Sequence, residues 1–171
     1  KLFKIARNFS RDIEIESGME RYEPILNEID ELEPDSFTDS NVVDKVIDIK
    51  NTISHTYQKN LLSATTKFLW LKLRNPIIIY DGRAKKALMN KLAIDSQTIL
   101  NLSEYKNYYE TWRKYYKQYE DEIKDVCEKL YKVEKYVIFQ DDHLKENIKK
   151  WASEEWFRER VFDSYLWHLG S

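Results

Sequence analysis

The chain has 171 residues, 42% apolar and 14% aromatic, which allows one domain with a buried core and argues against disorder. Only three Gly and three Pro occur, too few for the turns of a β-sandwich or barrel, so long helices joined by short loops are expected. With 28 Lys and Arg against 30 Asp and Glu the net charge is −2, which excludes a global positive field that would recruit nucleic acid.

Residues 1–17 mix Phe3, Ile5, Phe9, Ile13 and Ile15 with charges, and the alternation at 13–15 reads as a short strand. Apolar positions at Met19, Tyr22, Ile25, Leu26, Ile29 and Leu32 predict an amphipathic helix, broken by Glu33-Pro34-Asp35-Ser36. Ser40 is the expected N-cap of a helix that uses Val42, Val46, Ile49, Ile53 and Tyr57. Ser63 is the expected cap of the next helix, which Asn75-Pro76 ends because the residue before proline is pushed out of the α region. Pro76–Tyr80 is a β-branched run too short for a sheet of its own. Asp81 is placed to cap a helix over Arg83–Leu92, and Asp95-Ser96 to start another short one. A long helix is expected from Ser103 to about Tyr136, and Ser153 precedes a last helix that ends at Gly170, a residue suited to a left-handed C-terminal turn. The expected fold is all-α: a single globular domain, 1–171, of about seven or eight packed helices with at most one short strand or hairpin.

Cys127 is alone, which excludes an internal disulfide and a four-cysteine metal site. No apolar run approaches the ~20 residues of a membrane span, and no basic-then-apolar leader opens the chain. The reducing interior of the cell, cytoplasmic by default, is the expected setting, and no membrane partner is expected. The first residue is Lys1 rather than Met, which is compatible with a fragment lacking its N-terminus.

The segment Ser63–Leu88 holds the strongest chemical candidate. Lys67 stands near the start of a helix, where the positive end of the dipole and partial burial would together lower its pKa and make its amine a nucleophile. Asp81 follows fourteen residues later, beyond the proline, where it would accept a proton or stabilise a cation. The same pair would equally make a corner salt bridge, and a surface lysine with a simple helix cap is the plainer reading.

Small residues, Thr66-Lys67, an apolar helix, Pro76, the apolar run into Ile79-Tyr80-Asp81, and a basic residue opening the next helix together form a layout. It resembles the core of the helix-hairpin-helix DNA glycosylase superfamily, closest in style to its 8-oxoguanine-glycosylase-like branch. The likeness spans 26 of 171 residues. It implies base excision from double-stranded DNA, with the target base flipped out of the duplex. Lys67 would attack the sugar, and Asp81 would stabilise the charge that develops. Ser63, Thr65 and Thr66 would occupy the DNA-facing hairpin, Arg83, Lys85 and Lys86 would meet phosphates, and Trp70, Tyr80 or Trp112 would stack on the extruded base. No cofactor and no metal is implied.

Two aromatic stretches support a different reading, a non-enzymatic interaction module or subunit. Tyr105, Tyr108, Tyr109, Trp112, Tyr115, Tyr116 and Tyr119 form a ladder interleaved with Lys106, Arg113, Lys114 and Lys117. It would stack bases, or serve as a core seam continuing through Ile123, Val126, Leu130 and Val133. Trp151, Trp156, Phe157, Phe162, Tyr165 and Trp167 occupy more than one face of the C-terminal helix, which is then either sandwiched or offers a patch to a protein partner. Other enzyme classes fit poorly. His55, His143 and His168 lack zinc spacing, no Gly-rich phosphate loop exists, and no serine sits in a glycine elbow. Pro34-Asp35 with Asp48-Ile49-Lys50 matches a metal-dependent nuclease pattern in letters only, since Asp48 and Lys50 fall on an expected helix.

Overall fold

The computed structural model describes residues 20–94, 101–132 and 141–171. They are all-α, with eight α-helices, short 3-10 turns and, among the described residues, no strand. The strand expected at Ile13–Ile15, the short helix from Asp95-Ser96 and the far end of the long helix near Tyr136 lie outside them. By its contacts the chain divides into two compact units, Lys1–Tyr80 and Asp81–Ser171.

In the first unit a 3-10 turn at Glu20–Tyr22 leads into α1 (Glu23–Asp30). Pro24 sits in its first turn, where a missing N–H costs nothing, and Ile25 and Ile29 turn inward one helical turn apart. Helix α2 (Val42–Tyr57) buries Val42, Val46 and Ile53. Its N-cap is Asn41 rather than the expected Ser40. Asn41 Oδ1 accepts the Thr38 amide at 2.9 Å while its Nδ2 donates to the Ser36 carbonyl at 3.1 Å, so the side chain closes the preceding turn. Gln58, left-handed at φ 50°, ends α2. Helix α3 (Leu62–Leu73) begins earlier than Ser63 predicts, because Ser54 Oγ and Asn60 Oδ1 accept the Leu61 and Leu62 amides at 3.1 and 3.3 Å. Ser63 therefore lies inside the helix. Helices α1, α2 and α3 pack on one another. As expected, α3 stops before Asn75-Pro76, a cis peptide. Ile77, Ile78 and Ile79 are then all buried, and the Tyr80 amide donates to Thr66 Oγ1 at 3.0 Å, tying the run to α3.

In the second unit Asp81 Oδ1 accepts the Arg83 amide at 2.9 Å and caps α4 (Gly82–Ile94), as expected. The long helix is two helices: α5 (Tyr105–Gln118) and α6 (Glu120–Lys129), separated at Tyr119. Glu120, Asp121 and Glu122 fill the first turn of α6, where acids complement the exposed amides of a new helix. On α6 Ile123 and Cys127 are buried while Val126 stands half exposed instead of continuing the core seam. Helix α7 (Asp142–Trp151) was not foreseen; Asp141 Oδ1 caps it by accepting the Leu144 amide at 3.2 Å. Helix α8 (Glu155–Leu169) packs on α4 and α6.

Gly170 ends α8 but is not left-handed, with φ −86°. Its small size has another cause: a Cβ there would lie 1.9 Å from the Arg83 carbonyl oxygen, so only a glycine lets the end of α8 approach the backbone of α4. The aromatic ladder turns inward as amphipathic spacing predicts, with Tyr105, Tyr108, Tyr109, Trp112, Tyr115 and Tyr116 buried. Trp112 stacks on Tyr116 at 5.2 Å between centroids and meets Phe162 edge-on at 5.0 Å.

Candidate functional site

The residues singled out around Lys67 divide between the two units. In the first, Lys67 is half-buried and its Nζ donates to Ser63 Oγ at 2.8 Å, one turn back on α3. Thr65 and Thr66 are fully buried, and Thr66 Oγ1 donates to the Leu62 carbonyl at 3.0 Å. In this arrangement Thr65 and Thr66 face the interior rather than a DNA backbone. Trp70 and Tyr80 are partly exposed.

In the second unit the Asp81 carboxylate serves as a cap and Lys86 is exposed. Lys85 Nζ lies 3.4 Å from Ser103 Oγ. Arg83 is drawn to the end of α8, its guanidinium 4.1 Å above the Trp167 ring and hydrogen-bonded to Ser171 Oγ at 3.0 Å. Trp112 is 1% exposed, its ring packed against Tyr116 and Phe162, so it presents no face for a base. Arg113, one of the cations interleaved with the ladder, is paired with Glu159, a carboxylate only 3% exposed on the inner face of α8, and approaches Glu155 at 3.7 Å. Asp163, one turn further along, is buried and paired with Arg160. Burial, then the Asp163 carboxylate, pushes the Tyr108 phenol well above its ordinary value. Burial, then Glu159 and Glu155, does the same to Tyr116. Burial also raises the lone thiol, Cys127. A low-dielectric interior carrying paired charges suits a core rather than a titrating centre.

Among the described residues an apolar feature open to a ligand lies between α6 and α8. Tyr119, Ile123 and Val126 from α6 and its entry face Val161, Phe162 and Tyr165 from α8, bounding a cleft of about 230 Å³ whose walls are almost wholly apolar. Ile123 and Phe162 form its buried floor, while Val126 and Tyr165 stand 50% and 46% exposed at its rim. Among the described residues Glu122 is the one charged residue in the lining. Val126, which the seam is expected to bury, instead stands beside the buried Ile123 and Cys127 on α6 and opens toward the cleft. Sequence reasoning missed it for that reason, although the Glu120-Asp121-Glu122 run is a first-turn signal that marks a fresh helix start.

Elsewhere on α8 the side chains divide by face. Phe162 and Leu166 are core, whereas Tyr165, Trp167 and Leu169 are exposed large apolar groups, and Trp151, Trp156 and Phe157 form a partly covered cluster at its start. The C-terminal aromatic helix is thus both core and surface. Among the described residues no group of three or more His, Cys, Asp or Glu side chains is placed to hold a metal, and no helix is long and apolar enough to cross a membrane. Compared with known proteins, the chain matches no protein-family model, no curated protein and no solved structure.

Proposed function

We propose that this protein is a non-enzymatic helical interaction module and that the α6–α8 cleft is its binding face. The observation that carries this reading is an apolar trough with a buried floor, Ile123 and Phe162, and half-exposed apolar walls, Val126 and Tyr165. Exposed apolar surface gathered in a groove is costly to leave in water, and a groove between two helices suits the apolar face of a third. Selection from a library of helix-forming peptides tests it, with a Val126→Glu variant as counter-target. Enrichment of sequences with apolar anchors at i, i+3 or i+4, and i+7 on the unaltered chain alone is expected. Equal recovery on both targets would overturn the reading.

A second reading keeps the glycosylase-like chemistry. It is supported by Lys67, a half-buried amine held by Ser63 on a rigid helix, and by the ordered run through Pro76 to the Asp81 cap. Borohydride trapping on duplexes with damaged bases tests it. A covalent adduct lost in Lys67→Ala supports Schiff-base chemistry, and a base-release assay with the same variant covers a glycosylase without lyase activity. Silence in both assays removes this reading.

A further inference from the structure

From the charges bordering the α6–α8 cleft we infer that its occupant is a basic amphipathic helix on a partner protein, with its cationic flank against α6. This inference rests on the interaction-module reading above. The two walls of the cleft differ. Helix α6 carries Glu120, Asp121, Glu122, Asp125 and Glu128 against Lys124 and Lys129, and Lys129 is already paired with Asp125 at 2.5 Å. Glu122 lines the cleft itself, and Glu120 and Asp121 are exposed in the same turn. The α8 residues that line the trough, Val161, Phe162 and Tyr165, are uncharged, with Ser164 exposed beside them. Arg158 and Arg160 lie in the turn before Val161, the first donating to the Ala152 carbonyl and the second paired with Asp163.

A helix settling into the apolar trough therefore meets carboxylates, Glu122 foremost, along the α6 flank and an uncharged lining along the other. Lysine or arginine on one side of its apolar stripe gains complementary pairs, whereas acidic flanks meet like charge. Basic side chains would also lie over the exposed Tyr165 ring at the cleft's rim, with their stems on apolar surface and their charges at the acids.

A second copy of this chain is the poorer fit. Among the described residues the exposed large apolar side chains are Leu71, Met89, Val126, Tyr165, Trp167 and Leu169, and no helix shows three of them at i, i+3 or i+4, and i+7. No helix among the described residues therefore offers the stripe the trough requires.

The test uses the full chain and two labelled synthetic peptides of about 15 residues, about four helical turns. Both carry the same leucine stripe; one is flanked by lysines and the other by glutamates. A third peptide has the lysines but a scrambled stripe. Binding is read by fluorescence anisotropy at low and high salt. The lysine-flanked peptide should bind about tenfold more tightly than its glutamate twin, the worth of two exposed charge pairs. The margin should shrink at high salt, and it should vanish or invert in a Glu122→Lys, Asp125→Lys double variant. The scrambled peptide should not bind.

Val126→Glu separates the two layers of the proposal, and a half-exposed side chain can be changed there without opening the core. If both stripe peptides bind equally and both are lost in Val126→Glu, the cleft reading stands and the basic partner is refuted. If neither binds, the cleft reading itself fails. If sedimentation shows the chain self-associating in a manner abolished by Val126→Glu, a second copy is the occupant and the inference is overturned.

Discussion

Replacing Arg113 by methionine is the sharpest test of how the second unit is held together. Arg113 projects from α5 to Glu159 on α8, a carboxylate with 3% of its side chain exposed, and its Nε also donates to the Tyr109 hydroxyl at 3.3 Å. Methionine keeps most of the apolar stem and removes the guanidinium that Glu159 faces. Taking one partner from a buried pair costs about 3–5 kcal/mol, because the remaining charge stays in low dielectric without its counter-ion. Arg113 is itself a quarter exposed, so water recovers part of this and a loss near about 3 kcal/mol is expected. Urea unfolding followed by circular dichroism measures it. Adding Glu159→Gln to Arg113→Met should restore much of the loss, since no charge then remains to be buried. A single-variant loss below about 1 kcal/mol, in the range of ordinary surface pairs, would show that the α5–α8 pair does not behave as buried. Loss without recovery in the double variant would place the effect in packing rather than charge.

Three further outcomes are expected. Gly170→Ala should cost about 1–3 kcal/mol in thermal or denaturant unfolding, as overpacking does, because its Cβ would meet the Arg83 carbonyl at 1.9 Å; Gly82→Ala, with nothing within 4 Å, should be neutral or stabilising by about 0.4–1 kcal/mol. Asp81→Ala removes the cap on α4 and should cost about 1 kcal/mol of stability, detected in the urea midpoint; no loss would mean that the cap is idle. Tyr108 and Tyr116 have folded pKa values raised by burial, so their stabilisation is full below the unfolded phenol value of about 10 and is lost as pH rises through the folded values. Alkaline unfolding should accordingly begin above about pH 10, with phenolate absorbance rising together with loss of helix; absorbance that rises while the helices persist would contradict their burial.

Helix periodicity made the architecture readable in one dimension. Ile25 and Ile29, or Val42 and Val46, recur at helical spacing because one face must be buried, and that rule needs no knowledge of neighbours. The stop before Asn75-Pro76 and the Asp81 cap were legible for the same reason: each is a local steric or hydrogen-bonding rule. Ser40 and Ser63 misled because other side chains set the turns. Asn41, beside Ser40, closes the turn before α2, and Ser54 and Asn60 accept the Leu61 and Leu62 amides ahead of Ser63.

All-helical character, the inward aromatic ladder and most helix ends were thus determined by the sequence alone, through near-neighbour sterics and amphipathic spacing. Only tertiary structure decided three other matters. The helix breaks at Tyr119, and Val126, part of the apolar stripe, stands half exposed at the α6–α8 cleft, which the stripe alone does not reveal. Gly170 proved necessary through its contact with the Arg83 backbone, 87 positions away in sequence, rather than through its own dihedral angle. Arg113 and Trp112 were drawn to α8, the first to pair with Glu159 and the second to pack on Phe162. Each depends on which surfaces meet across long stretches of chain, and local spacing carries no record of that.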